Sequence, residues 1–274
     1  MHSRGQVVVG VDGSPESLIA AAWAADEAEL GRTGQVQFVM VSGDRLADDE
    51  AWETVGPIAN RFTPQLPGLE VTARVAHGDP ADVLVQLSDD AQLIAVGSRG
   101  RSALAATLLG SVSAKVATHS RCPVVVVRKH RRNGPVVVGL DNSPHSQAAL
   151  RYAFDAAARY ECDLVAVQVW EHAEPAPIVP PLEHELVDLR DEALRGLAEQ
   201  LSGCTEAYPN VPVRKVAQRG HPVAELAAAA EEARLLVVGH RGRGGFAGLL
   251  LGSVAMGALH HAQCPVAVVR DARE

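Results

Sequence analysis

The sequence predicts two tandem copies of an α/β domain, each built on an open, doubly wound parallel sheet. Three observations predict it. The first is an internal repeat. VVVGVDGSP at Val7–Pro15 recurs as VVVGLDNSP at Val136–Pro144, identical at 7 of 9 positions. LLGSVSAKVATHSRCPVVVVR at Leu108–Arg128 recurs as LLGSVAMGALHHAQCPVAVVR at Leu250–Arg270, identical at 12 of 21. The second is the alternation of short apolar runs with helical patterns inside each copy, in the order βαβαβαβαβ. Crossovers of that kind are right-handed and lay the strands parallel. The third is that the apolar runs lack polar alternation, as strands covered on both faces do. The 274 residues therefore divide into domains over 1–132 and 133–274.

In the first copy, QVVVGVD is a doubly covered strand. Ser14 is a good N-cap and Pro15 a good first helical residue, so a helix runs from there to about Leu30 and ends at Gly31. Leu18, Ala21, Ala22 and Ala25 form its expected core face. A strand at Val36–Val41, a mobile acidic stretch, a helix at Asp49–Phe62 and a strand at Glu70–Val75 follow. GDPADVLVQLSDD reads as a helix capped near Asp79. Leu93–Gly97 is a strand, Gly110–Ser120 a helix, and CPVVVVR a final strand. The second copy repeats this order. Asp12 and Asp141 lie 129 residues apart, but Gly110 and Gly252 lie 142 apart, so the second copy is 13 residues longer. Its prolines and acids mark Glu171–Glu185 as the loop that takes the extra length, and Arg128–Gly134 is the linker.

Composition excludes several function classes. Hydrophobic residues make up 47% of the chain, enough for buried cores and too many for a disordered protein. The net charge is −8, and Lys115, Lys129 and Lys215 are the only lysines. Nucleic acid and anionic membrane surfaces are poor partners for such a chain. The charge-free run from Gly244 to Val269 is broken by glycines, two histidines and Pro265, which suits a membrane span badly. MHSRGQVVVGVD has no apolar signal core, so a cytoplasmic location is expected. Cys122, Cys162, Cys204 and Cys264 fit neither a metal pattern nor a disulfide framework.

Two features converge beyond the carboxyl ends of the strands, where doubly wound sheets bind ligands. One is the aspartate after the first strand, Asp12 in GVDGS and Asp141 in GLDNS. The other follows the fourth strand: GSRGRSALAATLLGS (Gly97–Ser111) and GHRGRGGFAGLLLGS (Gly239–Ser253), both of the form G-x2-G-x9-G-S. Glycines there let the backbone approach a bulky anion. The closing Gly-Ser opens a helix whose free amides and positive dipole end suit phosphate. Ser111 and Ser253 add a hydroxyl, and Arg99, Arg101, Arg241 and Arg243 add positive charge. The expected ligand is a nucleotide, with its phosphates on this loop and its ribose near Asp12 or Asp141.

These loops, the GVDGS and GLDNS strands and the closing CPV-VVR strands resemble the universal stress protein family in its tandem form, across essentially the whole chain. The resemblance implies an ATP-binding five-stranded domain of strand order 3-2-1-4-5, with the two domains related by a pseudo-twofold and joined through their last strands. It implies one ATP per domain, with Mg2+, and a regulatory role in the stress response, with an unnamed signalling partner. The implied contacts are Gly10, Asp12, Gly97, Ser98, Arg99, Gly100, Arg101, Gly110, Ser111 and Val112 in the first copy. In the second they are Gly139, Asp141, Gly239, His240, Arg241, Gly242, Arg243, Gly252, Ser253 and Val254. The adenine contact falls near Met40 and Val169. The second copy keeps the family's Gly244-Gly245, where the first has Ser102-Ala103, and is expected to be the more reliable site. The closing strands have edges that invite pairing, and a homodimer is compatible with them.

Catalysis finds little support. There is no GxxxxGK[ST] and no strict GxGxxG. HELVD at His184–Asp188 lacks the second histidine of a zincin helix, and His260-His261 point in different directions on a helix. The HxGH and SGGxDS strings of adenylating and pyrophosphatase relatives of the fold are absent. The expectation is an ATP-binding regulator without catalytic residues; a slow ATPase or other nucleotide-using enzyme is the alternative.

Overall fold

The computed structural model describes residues 5–31, 34–43, 48–101, 109–170, 183–243 and 250–270. They form two compact units. One comprises Met1–His130 with Pro265–Glu274, the other Arg131–Cys264.

Among the described residues, the chain of the first unit up to His130 alternates strand and α-helix, with one 3-10 turn at Thr63–Gln65: β1 (Gln6–Gly10), α1 (Pro15–Gly31), β2 (Gln35–Ser42), α2 (Asp48–Phe62), β3 (Glu70–His77), α3 (Pro80–Leu87), β4 (Ala91–Gly97), α4 (Ser111–His119) and β5 (Val124–Val127). Its parallel strands lie in the order β3-β2-β1-β4-β5. Val7, Val8 and Val9 are buried, as are Phe38, Ile94 and Val125, which is why these strands show no polar alternation. β3 runs two residues past the expected end because Val41 and Ser42 of β2 remain available to pair with Ala76 and His77. The sixth strand of this unit is Val266–Val269. This is the last strand of the second sequence repeat, and it pairs antiparallel with β5, Val266 opposite Val126 and Val268 opposite Val124. Arg270 Nη2 beyond it donates to the Thr118 carbonyl at the end of α4.

The second unit repeats the pattern with β6 (Val136–Leu140), α5 (Pro144–Tyr160), β7 (Leu164–Trp170), α6 (Glu183–Ala207), β8 (Val213–Arg219), α7 (Pro222–Ala229), β9 (Leu235–Gly239) and α8 (Ser253–His261). Its strands lie in the order β8-β7-β6-β9, all parallel. Val266–Val269, by chain order β10, completes the element list.

Two local expectations need correction. In α1 the buried residues are Ser17, Ala20, Ala21, Trp23, Ala24, Ala25, Glu27 and Ala28, whereas Leu18 is exposed and Ala22 only half-buried. The helix is oriented by its first turn, where the Ser17 backbone abuts β4, so Leu18 is rotated one step out toward solvent. In the second unit part of the extra length is helical. α6 has 25 residues against 15 in α2 and begins at Glu183, inside the expected loop; residues 171–182 lie outside the described residues, as does the core of the acidic stretch, 44–47. The two residues expected near the adenine do not occupy equivalent register positions. Gly10 pairs with Val39 and Gly139 with Val167, so the counterpart of Val169 is Val41, and that of Met40 is Gln168.

The cysteine reading agrees with the packing. Burial pushes the Cys122 thiol up to about 12 and that of Cys264 up to about 11, which leaves both as inert apolar groups. Among the described residues no helix is long and apolar enough to cross a membrane.

Phe38 is fully buried and its ring stacks on Phe62 at 5.5 Å, whereas Trp52 on α2 is 48% exposed. Phe38→Ala is expected to cost about 3–5 kcal/mol and Trp52→Ala less than about 0.5 kcal/mol, read from urea unfolding midpoints. Equal costs would contradict this packing.

Candidate functional site

Each site grows from the aspartate after the first strand of its unit. One oxygen of the Asp12 carboxylate accepts from Ser14 N at 3.0 Å and from Ser14 Oγ at 2.6 Å. The other accepts from the backbone N–H of Arg101 at 2.8 Å. Asp141 repeats the backbone bonds, taking Ser143 N at 3.0 Å and Arg243 N at 2.8 Å. The turn behind each aspartate needs a left-handed residue, filled by Gly13 at φ +81° and by Asn142 at φ +63°, one of the few other residues that tolerates it. The helix that follows is capped by the serine: Ser14 Oγ accepts from Ser17 N, and Ser143 Oγ from Ser146 N, both at 3.2 Å.

Burial works against the charge on Asp12, but the hydrogen bonds from Ser14, Arg101 and Ser17 outweigh it and hold the carboxyl below the ordinary aspartate value. A group with a depressed folded pKa contributes stability above its unfolded pKa and loses it as pH falls through the folded one.

The glycines of the loop have distinct jobs. A Cβ on Gly100 would lie 2.6 Å from Asp12 Oδ2, so glycine there lets the carboxylate reach Arg101 N. At Gly97 the close atoms belong to α1: a Cβ would meet the Glu16 carbonyl carbon at 2.7 Å. At Gly239 it would meet the His145 oxygen at 2.9 Å. Both glycines seat the first turn of a helix on a strand end. Gly10 and Gly139 make room in the same way for Leu84 of α3 and Leu226 of α7.

The loops are closed at their bases. Gly110 N donates to the Ser98 carbonyl at 2.8 Å, and Gly252 N to that of His240 at 2.7 Å. Ser98 and His240 thus serve the loop through their backbones. Their side chains are buried, and the His240 ring meets His145 edge-on, 4.6 Å between centroids. Gly110 and Gly252 are the N-caps of α4 and α8 with no side-chain cap, which leaves the first-turn amides, including those of Val112 and Val254, for another acceptor. Ser111 and Ser253 are exposed at those ends. Residues 102–108 and 244–249, including Ser102-Ala103 and Gly244-Gly245, lie outside the described residues.

In the second unit these parts enclose a cavity of about 420 Å3. Val167, Val169, Leu226 and Val238 give it an apolar wall, and Arg241, Arg243 and the α8 N-terminus a cationic one. In the first unit a cleft of about 460 Å3 lies between the Gly13–Glu16 turn and the Arg99–Arg101 segment. Met40 is buried within β2.

Two residues escaped the sequence reading. Glu16, on the cleft wall, accepts from Arg99 Nη2 at 2.7 Å, and its counterpart is His145. Aligning DGSPES with DNSPHS exposes the difference directly, an acid replaced by an imidazole in the first helical turn.

The stability advantage of the wild type over Asp12→Asn is expected to be complete above about pH 4 and to shrink below it, followed by urea unfolding across pH. An advantage constant down to about pH 2 would contradict the carboxylate's role.

The comparisons with known proteins follow the same architecture. The model of the universal stress protein family matches twice, over residues 4–128 and 133–270. Universal stress protein Rv2005c of Mycobacterium tuberculosis is 37% identical over 288 residues, with 97% of each chain covered. Universal stress protein Rv1996 of the same organism is 34% identical over 300 residues, covering 96% of this chain and 94% of the relative. In fold, the crystal structure of a universal stress protein from Archaeoglobus fulgidus superposes with a TM-score of 0.72 at 24% identity, covering 98% of this chain and 99% of that one. The chain belongs to the universal stress protein family, in its tandem two-domain form.

Proposed function

We propose that the protein is a cytoplasmic ATP-binding regulator of the stress response, with one nucleotide site per domain and no catalytic role. The observation that carries this is the second-unit cavity, which joins an apolar wall to a cationic, amide-rich one. A nucleotide has the same two-part chemistry, a flat apolar base and a polyanion. The fit also has an unmet requirement on the protein side: Arg241 Nε is buried without a hydrogen-bond acceptor among the described residues.

Val169 and Val167 would hold the base, Asp141 the ribose hydroxyls, and Arg241, Arg243 and the first turn of α8 the phosphates. In the first unit Asp12, Arg101 and the first turn of α4 would take the corresponding roles. Among the described residues no three His, Cys, Asp or Glu side chains gather to hold a metal. Mg2+ would therefore enter with the phosphates rather than occupy a protein cage beforehand. A bound nucleotide supplies charge at the loop: the N–H groups of Arg101 and Arg243, held here by aspartate, would exchange that acceptor for a phosphate oxygen and so couple occupancy to the start of α1 and α5.

The second reading, a slow ATPase, is favoured by one observation, the Asp141 carboxylate on the cavity wall beside the cationic loop.

Titration of the full chain with Mg-ATP by calorimetry is expected to saturate at two nucleotides per chain. One at saturation would contradict the per-domain reading, and none would contradict nucleotide binding. Single-turnover assays are expected to show no hydrolysis on the timescale of binding. Turnover that disappears in Asp141→Glu would replace the regulator reading with the ATPase.

A further inference from the structure

The two sites share a backbone and differ in charge. In the first unit both loop guanidiniums already have a carboxylate. Arg99 is bonded to Glu16, the two side chains 36% and 21% exposed, and Arg101 lies 3.8 Å from Glu50 at the open surface. In the second unit neither Arg241 nor Arg243 makes an ion pair among the described residues, and both line the cavity. For Arg99 the cause is a single substitution between repeats. The residue after the helix-opening proline is Glu16 in α1 and His145 in α5. Glu16 is well placed at a helix N-terminus, where a negative charge is favoured, and from there it reaches Arg99. His145 brings no carboxylate and turns its ring onto His240 instead.

Resting on the nucleotide reading above, we propose that the two sites differ in their selectivity for ligand charge, and that the Glu16/His145 position sets the difference. The second unit is the polyphosphate site. In the first, Glu16 acts as an internal anion: a triphosphate must displace it from Arg99 and then sit beside it. The first site therefore discriminates less between ATP and AMP, and binds ATP more weakly than the second. The Glu16–Arg99 pair is only partly exposed, so salt screens it incompletely, and the discrimination persists at physiological ionic strength. Glu50, mostly exposed, contributes little to it.

The test is calorimetric titration of the full chain with ATP and, separately, with AMP, for the wild type, Glu16→Gln and the reciprocal His145→Glu. The wild type is expected to show a tight and a weak ATP step. Glu16→Gln should tighten the weak step by roughly tenfold, with a smaller gain for AMP. His145→Glu should weaken the tight step by a similar factor and leave the weak one unchanged. Because the two variants act on opposite steps, misfolding of one does not remove the test, and thermal melts of each report on folding. ATP steps unmoved by both folded variants would overturn this proposal while leaving the nucleotide reading intact. Equal gains for ATP and AMP in Glu16→Gln would overturn it too. No ATP binding in any form would overturn both.

Discussion

The hydrogen bond between an aspartate carboxylate and a loop N–H organises each domain. In both units the carboxylate that follows the first strand reaches across to the segment that follows the fourth, Asp12 to Arg101 and Asp141 to Arg243, both at 2.8 Å. Its other oxygen takes the N–H of the serine that opens the next helix. One side chain thus ties together a strand end, a helix start and a glycine loop. The glycines make sense around it. Gly100 and Gly242 clear a path for the carboxylate, and Gly97 and Gly239 let the helix start lie directly on the neighbouring strand. Without side chains at these positions the loop can stand close enough for its amides to converge. Those at the α4 and α8 N-termini have no side-chain cap.

Repetition then turns a local device into a comparison within one molecule. The apolar sheets are nearly interchangeable, Val7–Val9 with Val136–Val138, and the backbone N–H bonds accepted by the two aspartates match to within a tenth of an ångström. What has diverged is the chemistry laid over that frame: Glu16 against His145, Ser98 against His240, Ser113 against Ala255. Ser113 Oγ donates to the Gly97 carbonyl at 2.7 Å, a bond that Ala255 cannot make. Divergence on a fixed scaffold changes electrostatics without disturbing the fold, because charge acts at the strand ends while stability resides in the buried valines.

Much of this was legible in the sequence, and the physical reason is that the fold's requirements are local. Doubly covered strands must be apolar, helix starts must be capped, and two copies of each pattern remove ambiguity, so the strands and α-helices of the first copy were placed within a few residues. The motif residues were legible for the same cause; Asp12, Asp141 and the loop glycines do come together. Other features depended on relations the chain does not spell out. The outward turn of Leu18 follows from how α1 docks on Gly97, which no period-counting of α1 alone reveals. The one-residue offset at Met40 is a matter of strand register. The pairing of β5 with Val266–Val269, by contrast, was implied by the resemblance and by the open edges of the closing strands. The role of Glu16 was visible only as a letter until its carboxylate was seen on Arg99.

The central claim is that the amides of the loop and of the following helix start receive the ligand's phosphates, most strongly in the second unit. Amide hydrogen exchange of the full chain with and without saturating Mg-ATP tests it most directly. The predicted result is new protection confined to 239–243 and 252–255, with a smaller effect at 97–101 and 110–113. Protection elsewhere, with these four segments unchanged, would contradict it.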